Sequence, residues 1–383
     1  MVTRSSMPVC DVPHLQLGNA AHERSSAWKV AVFASFDDLP ASARGLCDAV
    51  ARERWFDSFD WFSCLFSTAL VSQSRPRLYV VADDTGEAVA CLFCCIRMDQ
   101  PGELASLSNY YTMEFAPVVK AGIDVEVVGA ILAAHIAAER PRWHTVRFDY
   151  LKDSNVAAAA LIGALGNAGY SVHRHHQYEN WYLTCAGLTF DEYFGTRPSR
   201  LRNTVERKSR KLYKSHNVQF RLYRSPADDI ARGVRDFVTV YNSSWKQPEP
   251  HPDFIPELAR RLATLDCLRL GVLDVDSTPV AAQFWITTTS EACIYKLAYD
   301  ERFADMSVGA ILSREMFRQA FDVDRAKRID YGVGSEAYKR EWMSDAQELF
   351  GIRAYSRLTG KGIARIVQAS VKRRAKRVLK GPR

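Results

Sequence analysis

Apolar and polar residues recur with two different periods along this chain, and these periods predict both strands and helices. Apolar residues every three or four positions are typical of amphipathic helices, whereas short apolar runs between turn residues are typical of strands. The run Ala88 to Ile96 is continuously apolar and follows the turn Asp83-Asp84-Thr85-Gly86. It is therefore predicted to be a fully buried strand of a hairpin.

The same order of elements is predicted twice. From Trp28 to Thr184, and again from Val218 to Ser356, the periods give the order β-α-α-β-β-β-α-β-α-β. We interpret the chain as two copies of one fold. A shift of 191 positions also aligns five identical hairpin residues: Val81 with Val272, Asp83 with Asp274, Val89 with Val280, Ala90 with Ala281, and Phe93 with Phe284.

This interpretation divides the chain into five segments. They are a flexible N-terminal tail (1–27), the first copy (28–188), a basic connector helix (189–216), the second copy (217–358) and a basic amphipathic C-terminal helix (359–383). The tail mixes Ser, Pro, Gly and His without a period, so no packed structure is expected there. The connector carries the narrow apolar stripe Leu201, Val205 and Leu212, which predicts one packed helix face.

Length and composition indicate a folded protein of two domains. The chain has 383 residues, of which 47% are hydrophobic and 25% charged, and these values exclude collagen-like, coiled-coil and wholly disordered classes. The longest apolar run is far shorter than the ~20 residues of a membrane-spanning helix, so a cytoplasmic protein is expected. The nine cysteines are odd in number and lie mostly in apolar segments, which favours reduced thiols.

The net charge of +7 is unevenly distributed. Residues 197–224 contain ten Lys or Arg against Glu206 alone, and residues 361–383 contain nine and no acidic residue. The rest of the chain is therefore net acidic. Basic patches of this kind usually face phosphates, anionic lipid or an acidic partner, although two solvated helix faces would give the same pattern.

One candidate binding segment lies where a predicted strand ends and a helix begins. The strand Ala292 to Tyr299 leads into Met306-Ser307-Val308-Gly309-Ala310, which opens the helix. The unpaired amides of a helix start suit a pyrophosphate, and Gly309 permits close approach of the backbone. The alternative is an ordinary helix start that is capped by the side chain of Ser307.

A second segment brings several chemical groups to one strand end. Two glycines after the strand predict a sharp bend, and Glu336, Tyr338 and Lys339 follow on the first turn of a helix. Glu336 and Lys339 are three positions apart, so their side chains share a helix face. The alternative is a Gly-rich connection with a capping glutamate. The segment reads Asp330-Tyr331-Gly332-Val333-Gly334-Ser335-Glu336-Ala337-Tyr338-Lys339-Arg340-Glu341-Trp342.

With these motifs the chain resembles the GNAT acyltransferase superfamily, in its duplicated BioF2-like or FemAB-like branch. The resemblance covers about residues 28–358, by motif in the second half and by element order in the first. It implies an α/β (α+β) fold of two tandem GNAT-like domains, each a mixed, mostly antiparallel sheet flanked by helices, the first domain being a degenerate copy. The residues that carry it are Thr278 to Phe284, Ala298-Tyr299-Asp300, Ser307-Val308-Gly309 and Asp330 to Lys339.

The resemblance implies direct attack of an amine on an activated acyl group, without a covalent enzyme intermediate. A backbone amide near Leu297 or Ala298 would hold the thioester carbonyl and its developing oxyanion. Glu336, or in second place Asp330, would accept the ammonium proton, directly or through water. The donor would be acetyl-CoA or another acyl-CoA, with its pyrophosphate at residues 307–310.

Tyrosines supply the other proton transfer in this interpretation. Tyr338 would protonate the leaving thiolate, with Tyr299 as the reserve. Lys339 would bind a phosphate of one substrate, or else it is an exposed lysine on the helix surface. Trp245 would line the substrate cleft, or else it packs at a helix end. No metal is expected, because the histidines of His173-Arg174-His175-His176 have no carboxylate or cysteine cluster nearby in the sequence.

Two function classes follow. The first is an N-acyltransferase for a small-molecule amine such as an amino sugar or a nucleotide-linked precursor of the cell envelope. A variant of this enzyme would use aminoacyl-tRNA as donor, with the RNA backbone bound by the basic connector. Acyl-CoA is the favoured donor. The second is a non-catalytic scaffold that holds an anionic partner. In either case the basic C-terminal helix would place the protein at the inner face of an anionic membrane.

Overall fold

A computed structural model describes residues 28–185, 187–334 and 336–380, and it leaves out the side chains of residues 373–380. The predicted flexible tail (1–27) lies outside the described residues. The strands are β1 (Lys29–Phe33), β2 (Ser74–Ala82), β3 (Ala88–Arg97), β4 (Glu103–Ser106), β5 (Val118–Val119), β6 (Thr145–Lys152), β7 (Tyr170–Thr184), β8 (Val218–Tyr223), β9 (Leu268–Val275), β10 (Thr278–Thr287), β11 (Glu291–Tyr299), β12 (Arg328–Val333) and β13 (Asp345–Ser356).

Eleven α-helices connect these strands within the described ranges. They are α1 (Ala41–Val50), α2 (Phe59–Leu65), α3 (Val125–Ala138), α4 (Val156–Asn167), α5 (Phe190–Gly195), α6 (Ser199–Ser215), α7 (Ile230–Asn242), α8 (Phe254–Thr264), α9 (Val308–Arg318), α10 (Ala337–Trp342) and α11 (Gly360–Lys380). Short 3-10 turns cover Trp55–Asp57 and Glu301–Met306, and π-helical turns extend α2 and α9. None of the described helices is long and apolar enough to cross a lipid bilayer.

All thirteen strands form one mixed sheet. Its order is β1-β2-β3-β4-β6-β13-β7-β12-β11-β10-β9-β8, and β5 pairs with β3 outside this path. Most neighbours are antiparallel, whereas β4 and β6 form a parallel pair in the first half and β11 and β12 form one in the second. The predicted mixed, mostly antiparallel sheet flanked by helices is confirmed.

The last strand of each half lies in the other half of the sheet. Within the described residues, β7 pairs with β12 and β13, and β13 pairs with β6 and β7. Asp330 of β12 thus lies opposite Tyr182 of β7, while Leu349 of β13 lies opposite Lys152 of β6. The predicted copies 28–188 and 217–358 therefore share one continuous sheet.

Two apolar clusters hold the helices on this sheet. One contains Trp61, Phe62 and Phe93 of the first half together with Phe237 and Phe254 of the second. The other contains mainly side chains of the second half and the connector, together with Leu183 and Cys185 from the end of the first copy. Its largest members are Tyr193, Trp285, Phe317 and Trp342. Because the first cluster contains side chains from both halves, burial of apolar area holds the halves together in addition to strand pairing.

Two sequence predictions of local structure need correction. The apolar residues near Leu107 to Val119 predict one strand, but only Val118–Val119 (β5) forms one. β4 ends at Ser106 and the chain then turns at Asn109, whose side chain accepts a hydrogen bond from the amide of Tyr111. The connector is two helices rather than one, since Pro198 separates α5 from α6. Its predicted apolar stripe is confirmed, with Leu201, Val205 and Leu212 all buried.

Candidate active site

The site lies where the parallel strands β11 and β12 separate. They are paired at Glu291 with Arg328 and as far as Cys293 with Asp330, after which β11 continues beside β10 alone. Phe284 of β10 pairs with Lys296 and the next residue pairs with Ile294, so β11 contains a bulge at Tyr295. A bulge bends its strand, and the bend opens a gap toward β12.

The gap exposes the backbone of β11. Leu297 pairs with Gln283 and Ala298 pairs with Ala282, both of β10, while the other edge of β11 has no partner at this level among the described residues. Successive amides of a strand point to opposite neighbours, so one of these two amides points into the gap. This is the kind of donor that the sequence analysis expects at Leu297 or Ala298.

A cavity of about 600 Å³, called the large cavity here, lies on one side of this gap. Its walls come from β11, from the start of α9, from α10 and from the loop after α7. Ten of the residues predicted from the sequence lie in its wall: Trp245, Leu297, Ala298, Tyr299, Ser307, Val308, Gly309, Ala310, Glu336 and Tyr338. The structure thus brings together residues that lie up to 93 positions apart in the chain.

The start of α9 forms one end of the large cavity. Ser307 has a left-handed backbone with φ of 57°, and its side chain makes no capping hydrogen bond, so the alternative of a helix start capped by Ser307 is wrong. The first turn of α9 contains no acidic residue. The amides of this turn have no partner within the helix, and together with the helix dipole they favour an anion in the cavity.

Gly309 is packed closely at this end. A Cβ atom at this position would lie 2.9 Å from Cδ1 of the Tyr299 ring. Tyr299 in turn packs against Trp245, with 4.7 Å between ring centroids. Glycine is therefore required by the aromatic wall of the large cavity.

A second cavity of about 160 Å³, called the small cavity here, adjoins the large one on the other side of the same gap. Leu297, Tyr331, Glu336 and Tyr338 line both cavities. The remaining wall of the small cavity is rich in lysine and tyrosine: Tyr110, Tyr111, Lys246, Tyr295, Lys296 and Lys339. A ligand in one cavity would therefore meet a ligand in the other at these four shared residues.

Glu336 is held at this junction by Lys339. The Lys339 ammonium lies 2.9 Å from the Glu336 carboxylate and donates a hydrogen bond of 2.5 Å to the carbonyl oxygen of Val333. Burial raises the pKa of Glu336, but the hydrogen bond and charge of Lys339 outweigh it and hold the pKa below its usual value. Glu336 is therefore an ionised carboxylate at neutral pH, and its side chain does not cap α10.

The segment between β12 and α10 differs in two ways from an ordinary connection on the protein surface. Lys339 is only 4% exposed, so the alternative of an exposed helix-surface lysine is wrong. The two predicted bend glycines are confirmed, since Gly332 and Gly334 both have positive φ. A Cβ at Gly334 would lie 2.4 Å from an oxygen of Glu336, so glycine lets the carboxylate fold back over the bend.

Tyr338 lies on the first turn of α10 with its ring against Tyr331, at 5.7 Å between centroids. Burial, followed by the negative charge of Glu336, raises the pKa of Tyr338 to about 12. The phenol therefore keeps its proton at neutral pH. It is 37% exposed and lines both cavities, so it can reach a bound ligand.

Asp330 is not brought together with these residues. Its buried carboxylate accepts hydrogen bonds of 2.6 Å from the side-chain amide of Asn180 and 2.8 Å from the amide of Gly332, and Lys152 lies 3.9 Å away. It lines neither cavity within the described residues. These contacts join β12 to β7, which is a structural position for the residue that the sequence analysis places second as proton acceptor.

The small cavity contains residues that sequence reasoning missed. Lys296 of β11 forms an ion pair with Glu249, and the hydroxyl of Tyr111 donates a hydrogen bond of 2.6 Å to the same carboxylate. Lys246 follows Trp245 directly in the loop between α7 and α8. The sequence could have pointed to Lys246, because it follows Trp245, which the sequence places in the substrate cleft. Nothing in the sequence points to Tyr111 or Glu249.

The described residues contain no group of three or more His, Cys, Asp or Glu that could hold a metal ion. The histidines of the predicted strand face instead approach single carboxylates, His175 at 3.8 Å from Asp149 and His176 at 3.3 Å from Glu348. The eight cysteines of the described chain are free and buried.

Comparisons with known proteins agree with this geometry. Residues 199–340 match the family described as Acetyltransferase (GNAT) domain. The fold is similar to that of FemX, with a TM-score of 0.58, 12% identity and coverage of 82% of this chain and 96% of FemX. It is also similar to a conserved protein of unknown function from Bacteroides thetaiotaomicron, with a TM-score of 0.54, 14% identity and coverage of 86% and 100%.

A further similar structure is the C-terminal DUF2156 domain of a candidate lysylphosphatidylglycerol synthetase from Agrobacterium fabrum. Its TM-score is 0.50 and its identity 13%, with coverage of 85% of this chain and 95% of that domain. At such low identities the similarity concerns the fold alone. No curated protein sequence matches the chain.

Proposed function

We propose that this chain, whose residues 199–340 match the acetyltransferase (GNAT) domain family, is an N-acyltransferase that moves an acyl group from acyl-CoA to a small-molecule amine. The observation that carries the proposal is the meeting of two cavities at Leu297, Tyr331, Glu336 and Tyr338 beside the open edge of β11. The large cavity would take the donor and the small cavity the acceptor. The reacting atoms would then meet at the shared residues.

The reaction needs no covalent enzyme intermediate. The amine nitrogen attacks the thioester carbonyl carbon, a C–N bond forms, and the carbonyl electron pair moves to oxygen, where an amide of β11 stabilises the negative charge. The C–S bond then breaks, and the CoA thiolate takes the proton of Tyr338. The proton lost from the ammonium passes to Glu336 or through it to water.

The protonation states of the two residues suit these roles. Tyr338 keeps its proton because its pKa is raised to about 12, so the donating form is present throughout the physiological pH range. Glu336 is ionised because its pKa is held below the usual value, so the accepting form is present. Lys339 is assigned to orienting Glu336, because its ammonium is already bound by Glu336 and by the carbonyl of Val333.

The residues at the start of α9 fit the pyrophosphate of acyl-CoA. The helix start is uncapped, has no acidic residue in its first turn and faces the large cavity at Ser307 and Gly309. An anion at such a helix start is stabilised by the backbone amides and by the helix dipole. CoA supplies the activated thioester, and the chain's residues bind and orient it.

One observation favours a second candidate donor, an aminoacyl-tRNA. Helix α6 lies beside the large cavity, since Leu201 lines it and the Lys208 ammonium donates to the carbonyl of Asp305, just before Ser307. An RNA backbone on this basic helix would give a steep salt dependence, with a slope of about −0.7 to −0.9 per phosphate contact. Acyl-CoA remains the favoured donor, because it needs only one pyrophosphate site.

The acceptor and the cellular location are also part of the proposal. The acceptor is an amino sugar or a nucleotide-linked precursor in cell-envelope or polysaccharide metabolism, and the protein acts in the cytoplasm at the inner face of an anionic membrane. Helix α11 supports the membrane contact, because Ile363, Val367 and Val371 are exposed at four-residue spacing on a basic helix.

Removal of residues 372–383 tests that membrane contact. It deletes seven Lys or Arg but keeps Arg365, which lies 3.7 Å from Glu103 and ties the start of α11 to β4. Each basic residue near an anionic surface contributes about 1 kcal/mol, so binding to phosphatidylglycerol vesicles should weaken strongly while neutral vesicles show no difference. Equal binding by both forms would refute the contact.

The enzymatic proposal is tested by calorimetry and by thiol release. Titration with acetyl-CoA should show one site per chain, and CoA thiol should appear only when an amine is added. Neutralising Arg207, Lys208, Arg210 and Lys211 should leave acetyl-CoA binding nearly intact. No heat with acetyl-CoA, together with tight and salt-sensitive RNA binding, would replace acyl-CoA by aminoacyl-tRNA; no binding of either would leave the non-catalytic scaffold.

A further inference from the structure

Three lysines surround the small cavity, and two of them have a carboxylate partner. Lys339 pairs with Glu336 at 2.9 Å, and Lys296 pairs with Glu249. Lys246 forms no ion pair with any described carboxylate; its ammonium instead lies over the rings of Tyr241 and Trp245, at 5.5 and 5.7 Å from their centroids. The cavity therefore has one positive charge that the protein does not balance.

The surroundings of Lys246 destabilise its positive charge. Its side chain is partly buried, and burial, followed by the neighbouring charge of Lys296, lowers its pKa to about 8. The other charged groups around it are Glu249 and Glu336, which act in the opposite sense, and Lys339, which adds to the repulsion. A partly buried ammonium without a partner is stabilised by any anion that enters the cavity.

The loop after α7 holds Lys246 in place. Trp245, the preceding residue, packs on Tyr299 in the large cavity, whereas Lys246 lines the small cavity. The amide of Glu301 donates a hydrogen bond of 3.3 Å to the carbonyl of Ser243 in the same loop. Neighbouring residues of one anchored segment thus face the two ligands separately.

We infer that Lys246 selects the amine acceptor by binding an anionic group that the acceptor carries near its amine. The inference rests on the proposed function and names the acceptor class of that same site: a small amine with a carboxylate or a phosphate. The anion lies at Lys246 and the amine points to Glu336, whose carboxylate receives the proton. A cavity of about 160 Å³ admits an amino acid, or the reacting end of a larger molecule.

Two matched pairs of acceptors test this inference. L-alanine is compared with L-alaninamide, and D-glucosamine 6-phosphate with D-glucosamine, at saturating acetyl-CoA. The wild type should prefer the anionic member of at least one pair, and the pair with the larger preference tells carboxylate from phosphate. Lys246→Met should lower kcat/KM for that anionic member at least about tenfold, mainly through KM, because the anion loses its charge partner.

The controls separate recognition from folding. Lys246→Arg keeps the charge and should retain most of the preference, while Lys29→Met removes an exposed lysine of the edge strand β1 and should change neither member of a pair. Lys296→Met is unsuitable as a control because it would leave Glu249 unpaired. Equal loss for anionic and neutral members in Lys246→Met, or no preference in either pair by the wild type, would overturn the inference.

The pH dependence gives an independent readout. Lys246 is charged below about pH 8, so the preference for the anionic acceptor in kcat/KM should fall as the pH rises through that value. The ratio of wild type to Lys246→Arg should fall in parallel, because the guanidinium stays charged and the titration of the acceptor amine cancels in the ratio. A ratio that is constant from pH 6.5 to 9.5 would contradict the assignment.

Failure of the proposed function has a different signature. If no amine releases CoA thiol, binding of glucosamine 6-phosphate and of L-alanine is measured by calorimetry in the presence of CoA. Binding that Lys246→Met abolishes and Lys246→Arg keeps would retain anion recognition and reject acyl transfer. Absence of both turnover and binding would overturn the inference as well.

Discussion

The two halves of the sheet contain equivalent helix starts that differ in one group. In each half a helix connects the parallel strands: α3 between β4 and β6, and α9 between β11 and β12. The side chain of Asp124 caps α3 by accepting a hydrogen bond of 2.9 Å from the amide of Glu126, whereas Ser307 leaves the start of α9 uncapped. A carboxylate thus occupies, in the first half, the kind of position that an incoming phosphate would need.

The ends of the following strands differ in the same way. An Asp-Tyr pair occurs in both strands, at Asp149-Tyr150 of β6 and at Asp330-Tyr331 of β12, and in both places the aspartate is buried and bound by protein groups. After β12 two glycines bend the chain back, and Glu336 follows at the junction of the cavities. After β6 no such bend occurs, and Asn155 starts a capped helix. The comparison teaches that, within the described residues, the groups proposed for CoA binding and proton transfer lie in the second half, on a framework that both halves share.

The largest effect is expected at the phenol of Tyr338. Tyr338→Phe should lower kcat by about 10² to 10⁴ with little change in KM for the donor, because the lost proton transfer matters only in the transition state. Tyr178→Phe is the matched control: its side chain lines a cavity of about 260 Å³ between first-half residues such as Ser106 and Arg147, and it is 38% exposed against 37% for Tyr338. Equal rates for Tyr338→Phe and the wild type would remove the assignment.

Glu336→Gln should come next, with a loss of kcat of about 10². Because Lys339 holds the pKa of Glu336 below its usual value, the carboxylate is ionised throughout the neutral and alkaline range, and only acid would protonate it. The loss should therefore be the same factor at every pH between 6 and 9, as measured by kcat profiles of both forms. A factor that changes across this range would show that Glu336 titrates there and that the described ion pair is wrong.

A substitution can give the second half the helix start of the first. Ser307→Asp introduces a carboxylate at the start of α9 and should weaken acetyl-CoA binding about tenfold or more, because it repels the pyrophosphate and competes for the same amides. Calorimetry measures the change in Kd. The reciprocal Asp124→Ser should leave the stability nearly unchanged, because serine also caps helices well, and it should create no second CoA site. Unchanged affinity in Ser307→Asp would place the pyrophosphate elsewhere.

The smallest effect on the rate is expected at Asp330. Asp330→Ala leaves Asn180 without its partner and should lower the free energy of unfolding by about 1 to 3 kcal/mol, as measured by urea denaturation. Its kcat should fall far less than that of Tyr338→Phe. A large loss of kcat at unchanged stability would instead support Asp330 as the proton acceptor.

Much of the fold could be predicted from the sequence because hydrophobic period encodes it locally. The strands predicted over Ala88 to Ile96 and Ala292 to Tyr299 are present as Ala88–Arg97 and Glu291–Tyr299. The exchange of β7 and β13 could not be predicted, since the sequence of a strand does not encode which neighbour it pairs with.

The residues of the site also differ in whether the sequence could reveal them. Glu336 and Tyr338 follow a strand and a glycine bend, so their motif is continuous in the sequence and could be recognised. Lys246 and Lys296 come together only in the tertiary fold. The anion-binding role proposed for Lys246 depends on Lys296 and Lys339 already being paired with carboxylates. Such pairing is a property of the folded cavity and has no local signal.

A crystal structure of the chain with CoA tests the central claim most directly, namely that the proposed CoA site lies in the second half. The account predicts one CoA per chain, with its pyrophosphate on the amides of residues 308–310, since the amide of Ser307 already donates to the carbonyl of Ala304, and with its thiol at the junction beside Tyr338. A CoA bound at the start of α3 beside Asp124, or a large cavity that stays empty at saturating CoA while thiol release proceeds, would contradict it.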